Sequence, residues 1–268
     1  MGQTVNDIIQ YMERLAPLKT ALEWDNPGLL IGERDKPVKR ILVSLDCTDE
    51  AIDEAGRVKA DMIITHHPLI FRPIKSITSD TALGRRVIKL IRSHITLFSA
   101  HTNLDIAEGG VNDVLFGILN LTEKAPLMPP SSDEAGLGRV GVLEAPMRLD
   151  ELASFVGRKL GLKHTRYAGN PDFMISKVGL LCGSGSEIKY FKEASSNGCQ
   201  AYITGDIKYH DAQAAIEMGL CLIDATHYAS EAPVVERLCG YLREGFPDAG
   251  IYANDFDKRM EGQFGYND

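Results

Sequence analysis

Met62-Ile-Ile-Thr-His66-His67-Pro68 is an apolar, strand-forming run that ends on two adjacent histidines, and its surroundings decide the fold. Helix-periodic stretches at 49–59 and 82–92 flank it, and strand patterns at 40–45 and 95–99 lie beyond them. Strands alternating with helices in this way predict an α/β fold built on a parallel sheet. Upstream, Val5, Ile8, Ile9, Met12 and Leu15 have helical spacing, and Pro17 stands where that helix should stop. Trp24-Asp-Asn-Pro-Gly28 is a dense turn signal before the strand-like Leu29-Leu-Ile31.

Downstream, Pro129-Pro-Ser-Ser-Asp-Glu134 with its flanking glycines is the best linker candidate. It predicts a first domain over 1–125 and a second over 126–268, with the C-terminal segment packing back on the first. The second half repeats the alternation, with strands at 139–144, 177–182, 201–204 and 220–224. Helices are expected from 150, over 187–196 and over 211–217. Ile63-Ile-Thr-His66-His67 then corresponds to Tyr202-Ile-Thr-Gly205-Asp206, so the halves read as a diverged duplication.

The duplication carries chemistry. Phe98-Ser-Ala-His101-Thr-Asn-Leu-Asp105 and Ile223-Asp-Ala-Thr-His227-Tyr-Ala-Ser-Glu231 both run a strand into His-x₃-carboxylate. Ligands of open α/β sheets sit beyond the carboxyl ends of the strands, where all these histidines lie. Any one of them alone reads as a loop or helix-cap residue. His66, His67, His101, His227, Asp105 and Glu231 together read as a metal centre, because imidazole and carboxylate hold Zn, Mn, Fe or Co without thiolate. Strand alternation sends His66 and His67 to different sides, which suits one for each of two divalent ions. In a helical first turn, His227 and Glu231 share a face.

Composition bounds the function classes. The 268 residues are 44% hydrophobic and 25% charged, which excludes disordered and fibrous classes. No apolar run approaches the roughly 18 residues of a membrane helix, and the first residues carry no basic leader signal. Five scattered cysteines, without a Cys-x-x-Cys pair, fit a reduced cytoplasmic protein. A net charge of −8 argues against a nucleic-acid surface. Arg72, Lys75 and Lys208 suit a polyphosphate, although solvated surface charge explains them as well. Asp206 reads equally as support for a metal ligand or as a loop cap, and His210 is a weaker candidate still. No Gly-rich phosphate loop is present.

Several motifs in one order resemble the GTP cyclohydrolase I type 2 family, also called Nif-three-like or dinuclear metal centre proteins. They are Trp24-Asp-Asn-Pro-Gly-Leu-Leu-Ile-Gly32, Thr65-His-His-Pro-Leu-Ile-Phe71, His101-Thr-Asn-Leu-Asp105, Gly109-Gly-Val-Asn-Asp113, Thr204-Gly-Asp-Ile-Lys-Tyr-His210 and His227-Tyr-Ala-Ser-Glu231. The resemblance implies two interlocked α/β domains of similar topology and a homohexameric ring. It implies two divalent ions per subunit, one on His67 and Asp105, the other on His66 and His227, with Glu231 between them. The implied activity is hydrolysis of GTP or a related nucleotide or pterin-type molecule, and His101, beside the centre, is the candidate catalytic proton carrier. A metal-binding, metal-trafficking or interaction protein without GTP turnover is the alternative. The resemblance also implies that the extra middle domain of longer relatives is missing. Ala225-Thr226 departs from the Gly that often precedes the second His in relatives.

Overall fold

The computed structural model describes residues 2–254. The described residues form two compact units: those up to Glu108 together with 234–254, and Gly109–Pro233.

The first unit contains α1 (Val5–Leu15), β1 (Gly28–Ile31), β2 (Arg40–Ser44), α2 (Asp49–Val58), β3 (Met62–Thr65), α3 (Ala82–Arg92), β4 (Thr96–Ser99) and α4 (Thr102–Ile106). The second holds α5 (Val111–Ile118), β5 (Thr122–Pro126), β6 (Arg139–Arg148), α6 (Leu149–Leu160), β7 (Arg166–Ala168), β8 (Met174–Leu180), α7 (Ile188–Ser196), β9 (Ala201–Thr204), α8 (Tyr209–Glu217), β10 (Cys221–Asp224) and α9 (His227–Glu231). The chain then returns to the first unit with α10 (Val234–Gly245) and β11 (Gly250–Ala253). The expected domain change at 125/126 and this division differ by α5 and β5. β5 pairs antiparallel with β6, which draws that segment to the second sheet.

Helix starts follow from capping. Thr4 Oγ1 accepts the Asp7 N–H at 3.3 Å while the Asp7 carboxylate accepts the Thr4 N–H at 2.7 Å, a reciprocal box that opens α1. Thr48 and Thr81 cap α2 and α3 through the N–H groups of Ala51 and Gly84.

The first sheet has the order β1-β4-β3-β2-β11. β11, β2, β3 and β4 are mutually parallel, and β1 joins antiparallel. The second sheet has the order β5-β6-β8-β9-β10-β7, with only β8, β9 and β10 parallel. The expected parallel sheets are therefore the centres of mixed sheets. The edges of the second sheet escape sequence reading because β7 is three residues long and β5 is exposed throughout, so neither shows a buried period. Central strands β3, β4, β9 and β10 are buried along their whole length, the pattern of parallel strands covered on both faces. Leu42, Ile63 and Leu97 of the first sheet pack with Ile52 and Ala55 of α2 and Leu90 of α3.

Register positions the chemistry. Thr65 lies opposite Ser99, so His66-His67 and Ala100-His101 leave the first sheet side by side. The Thr65 and Ser99 hydroxyls meet at 2.7 Å and tie the two strand ends together. In the second unit Thr204 lies opposite Asp224, so Gly205-Asp206 and Ala225-Thr226-His227 leave side by side in the same manner.

Candidate metal centre

In the first unit the donor nitrogens of His66, His67 and His101 all lie within 4.8 Å of one another. The chain bends directly after β3, so the alternation of an extended strand does not continue through His66 and His67. Their rings stand 4.9 Å apart, and both converge with His101 instead of pointing to different sides. His66 is fully buried, while His67 and His101 are partly open.

Each ring is fixed from behind. His66 Nδ1 donates to the Ala100 carbonyl at 2.9 Å, His67 Nδ1 to Asp46 at 2.9 Å, and His101 Nδ1 to Asp25 at 2.7 Å. A carbonyl or carboxylate only accepts, so the proton sits on Nδ1 and the Nε2 lone pair is left for another partner. That is the arrangement of metal-ligating histidines, whose second nitrogen is held by an acceptor. Burial works to raise the Asp25 carboxyl, but the hydrogen bonds from His101 and Thr102 outweigh it and hold it below the usual carboxylate range. Asp25 therefore stays ionised behind its imidazole.

Asp105, on α4, is buried, and its Oδ1 lies 3.6 Å from His66 Nε2.

The second unit holds a smaller set. His227 Nδ1 donates to Asp206 at 2.8 Å, and its Nε2 faces Glu231 Oε2 at 3.1 Å across one turn of α9. Asp206 thus supports His227 through a hydrogen bond and does not cap its loop. Glu231 is buried. Gly183 closes over it, with φ of 69°, and a Cβ added there would stand 2.0 Å from Glu231 Oε1. The donor chemistry of both units, imidazole with one nitrogen tied back and buried carboxylate, fits divalent ions.

Sequence reasoning missed Asp25 and Asp46. Asp25 lies inside the Trp-Asp-Asn-Pro-Gly turn, where an Asp reads as a turn former. Asp46 follows β2 by two residues, and an acid just past a strand end was the available signal. Arg72 and Lys75 are exposed and do not join the histidines, and His210 bonds Gln213 on its own helix at 3.0 Å. Asn112 and Asp113, from the Gly-Gly-Val-Asn-Asp motif, are structural. Asn112 accepts from the Cys182 N–H at 2.9 Å, and Asp113 accepts from Gly109 N–H, Lys124 and the buried Arg139.

The sequence pattern described as Duf34/NIF3 (NGG1p interacting factor 3) matches residues 3–257. The chain belongs to this family. A relative from Clostridium perfringens, called GTP cyclohydrolase 1 type 2 homolog, is 42% identical over 242 residues, covering 90% of this chain and 91% of that protein. Among solved structures, a Bacillus cereus protein related to NIF3 superposes with a TM-score of 0.90 at 27% identity, covering 96% of this chain and 98% of that one. Reduced HcgD from Methanocaldococcus jannaschii gives 0.81 at 30% identity, covering 96% and 99%. The NIF3 fold expected from the sequence is the fold observed. Among the described residues no helix is long and apolar enough to cross a membrane, and all five cysteines are buried.

Proposed function

We propose that this NIF3-family chain is a dinuclear metal-dependent hydrolase of GTP or a related nucleotide or pterin-type molecule. The observation that carries the reading is the convergence of three histidine donors within 4.8 Å, each with Nδ1 tied to an acceptor. The name of the Clostridium relative supports the nucleotide assignment. In this reading His66, His67, Asp105, His227 and Glu231 hold two divalent ions. Ions of this kind supply Lewis acidity and lower the pKa of water toward neutrality.

The remaining steps fall to the protein. For guanine, one water adds at the imidazole carbon, the bond from that carbon to the ribose-bearing nitrogen breaks to leave a formamide, and a second water hydrolyses the formamide to formate and a free amine. His101 Nε2, with Nδ1 committed to the Asp25 carboxylate, takes and returns the protons. Asp25 keeps His101 in one orientation and one tautomer, the part an aspartate plays behind a catalytic histidine. Self-assembly into a hexamer in the cytoplasm belongs to the same reading and rests on the resemblance.

The test begins with metal analysis of protein purified without added metal. Nucleotides, pterins, phosphoesters and peptides are then assayed before chelation, after it and on readdition of metal. About two ions per chain and chelator-sensitive turnover of a nucleotide or pterin are expected. Stable binding with no turnover of anything in the panel retracts the hydrolase. Light scattering should give a mass near six times 29.4 kDa, and a monomer removes the ring.

A further inference from the structure

The second unit carries a cavity of about 230 Å³ that the metal chemistry does not use. Leu222 lies in its apolar lining, and Arg166, Tyr167, Lys208, Tyr209 and Asp224 bring its polar groups. Its walls are chain neighbours of the metal-directed residues. Lys208 follows Asp206 by two positions, and Asp224 precedes His227 by three.

The charge balance is defined. Asp224 is buried and pairs with the Arg166 guanidinium, and its Oδ1 also accepts from the Thr226 N–H at 3.0 Å. Lys208 has no ion pair among the described residues, so the lining is left one positive charge in excess. Lys208 is also the N-cap of α8, a nine-residue helix whose first turn no side chain caps. The helix dipole therefore adds to the cation instead of opposing it. Asp206 and Asp211 are the nearest acids along the chain. Neither lines the cavity, and they are engaged by His227 and Ser186 respectively.

Two tyrosines stand exposed at the opening, Tyr167 at 42% and Tyr209 at 74%. Exposure this large for amphipathic rings at a cationic cavity suits a ligand that is part apolar and part oxyanion. The volume narrows the choice. Sites that enclose a whole drug-sized ligand run to roughly 300–1,000 Å³, so this one takes only one end of its ligand.

We propose that this cavity is the phosphate subsite, holding the phosphate-bearing end of a nucleotide-type substrate against Lys208, Arg166 and the first turn of α8. This deepens the proposed function and rests on it for the identity of the substrate. Arg166 brings a planar donor fork suited to phosphate oxygens, and Lys208 a compact charge.

The test is calorimetric titration of the full, metal-loaded chain with GTP, guanosine and pyrophosphate, repeated on Lys208→Gln and Lys208→Glu. Lys208 is exposed, so these variants leave the fold intact, and their metal content is measured in parallel. GTP and pyrophosphate should bind the wild-type chain and weaken about tenfold or more in Lys208→Gln and further in Lys208→Glu. Guanosine binding and metal content should stay unchanged. GTP affinity equal in wild type and both variants overturns the subsite, as does guanosine binding as tightly as GTP. A chain that shows no turnover, yet loses GTP affinity in Lys208→Gln, retracts the hydrolase and keeps the cavity.

Discussion

The Asp25 carboxylate grips His101 and the start of α4 at once: one oxygen accepts from His101 Nδ1 at 2.7 Å, the other from the Thr102 N–H at 3.0 Å and the Thr102 hydroxyl at 2.5 Å. A turn residue from the N-terminal part of the chain thereby sets the orientation of an imidazole 76 positions later. Asp25→Asn keeps the shape but offers His101 an amide that can donate, so the tautomer is no longer enforced. Turnover should fall roughly 10- to 100-fold, the range for acceptors behind site histidines. Unchanged turnover in this variant removes Asp25 from the mechanism.

In the proposed function His67 is a metal ligand and His101 the proton carrier. Geometry alone gives both a place in the same 4.8 Å cluster, so the distinction needs measurement. His67→Ala should lose metal and activity together. His101→Ala should keep its metal and lose turnover by roughly 10²- to 10⁴-fold, the usual contribution of a positioned acid–base group. Metal loss from His101→Ala makes His101 a ligand.

Gly183 tests Glu231 without touching its carboxylate. Because a Cβ at 183 would stand 2.0 Å from Glu231 Oε1, Gly183→Ala must push the carboxylate aside, and the positive φ adds strain. If Glu231 bridges two ions, Gly183→Ala should lower metal content, and Glu231→Ala should disturb both ions. Two ions bound with wild-type affinity in Glu231→Ala would end the bridging assignment.

Much of this was legible because burial and register leave marks in sequence. Fully buried strands such as Met62–Thr65 and Cys221–Asp224 are continuous apolar runs, and the parallel pairing of their ends follows from the alternation with helices. The histidines were found for the same reason, since each follows such a run. Asp25 and Asp46 were not, because a carboxylate that holds a histidine has no periodicity and Asp is common in turns. The bend after Thr65, which brings His66 and His67 together, depends on tertiary contacts of the strand end and is absent from any local pattern.

Acid should unfold the chain through two carboxylates. Burial acts to raise Asp113, but hydrogen bonds from Gly109 N–H, Lys124 and Arg139, with the Arg139 charge, hold it low; Asp25 is likewise held low. A folded value below the unfolded one, about 3.9 for Asp, contributes stability above that pH. The contribution is lost as pH falls through the lower folded values. Asp113→Asn removes the partner of the buried Arg139 and should cost about 3 kcal/mol near neutral pH. Denaturant melts from pH 6 to pH 3 should also show a shallower acid decline for the variant. A decline as steep as wild type would assign the acid sensitivity elsewhere.

Thr226 is held in a conformation that suits glycine. Its φ of 57° and ψ of 155° lie outside the regions a β-branched residue favours, and its hydroxyl accepts from the Ala229 N–H at 3.3 Å. Such strain costs about 1–3 kcal/mol. Thr226→Gly relieves it, forfeits a few tenths of a kcal/mol in capping and adds about 0.5–1 kcal/mol of chain entropy to the unfolded state. The balance favours the variant by about 1 kcal/mol, which should raise Tm by about 2–4 °C for a chain of this size. Metal content should not change, because Asp206 still holds His227 Nδ1 and the backbone path into α9 is the one glycine adopts without strain. A lower Tm in calorimetry would mean that the hydroxyl cap outweighs the strain, and that Thr226 stabilises the approach to His227.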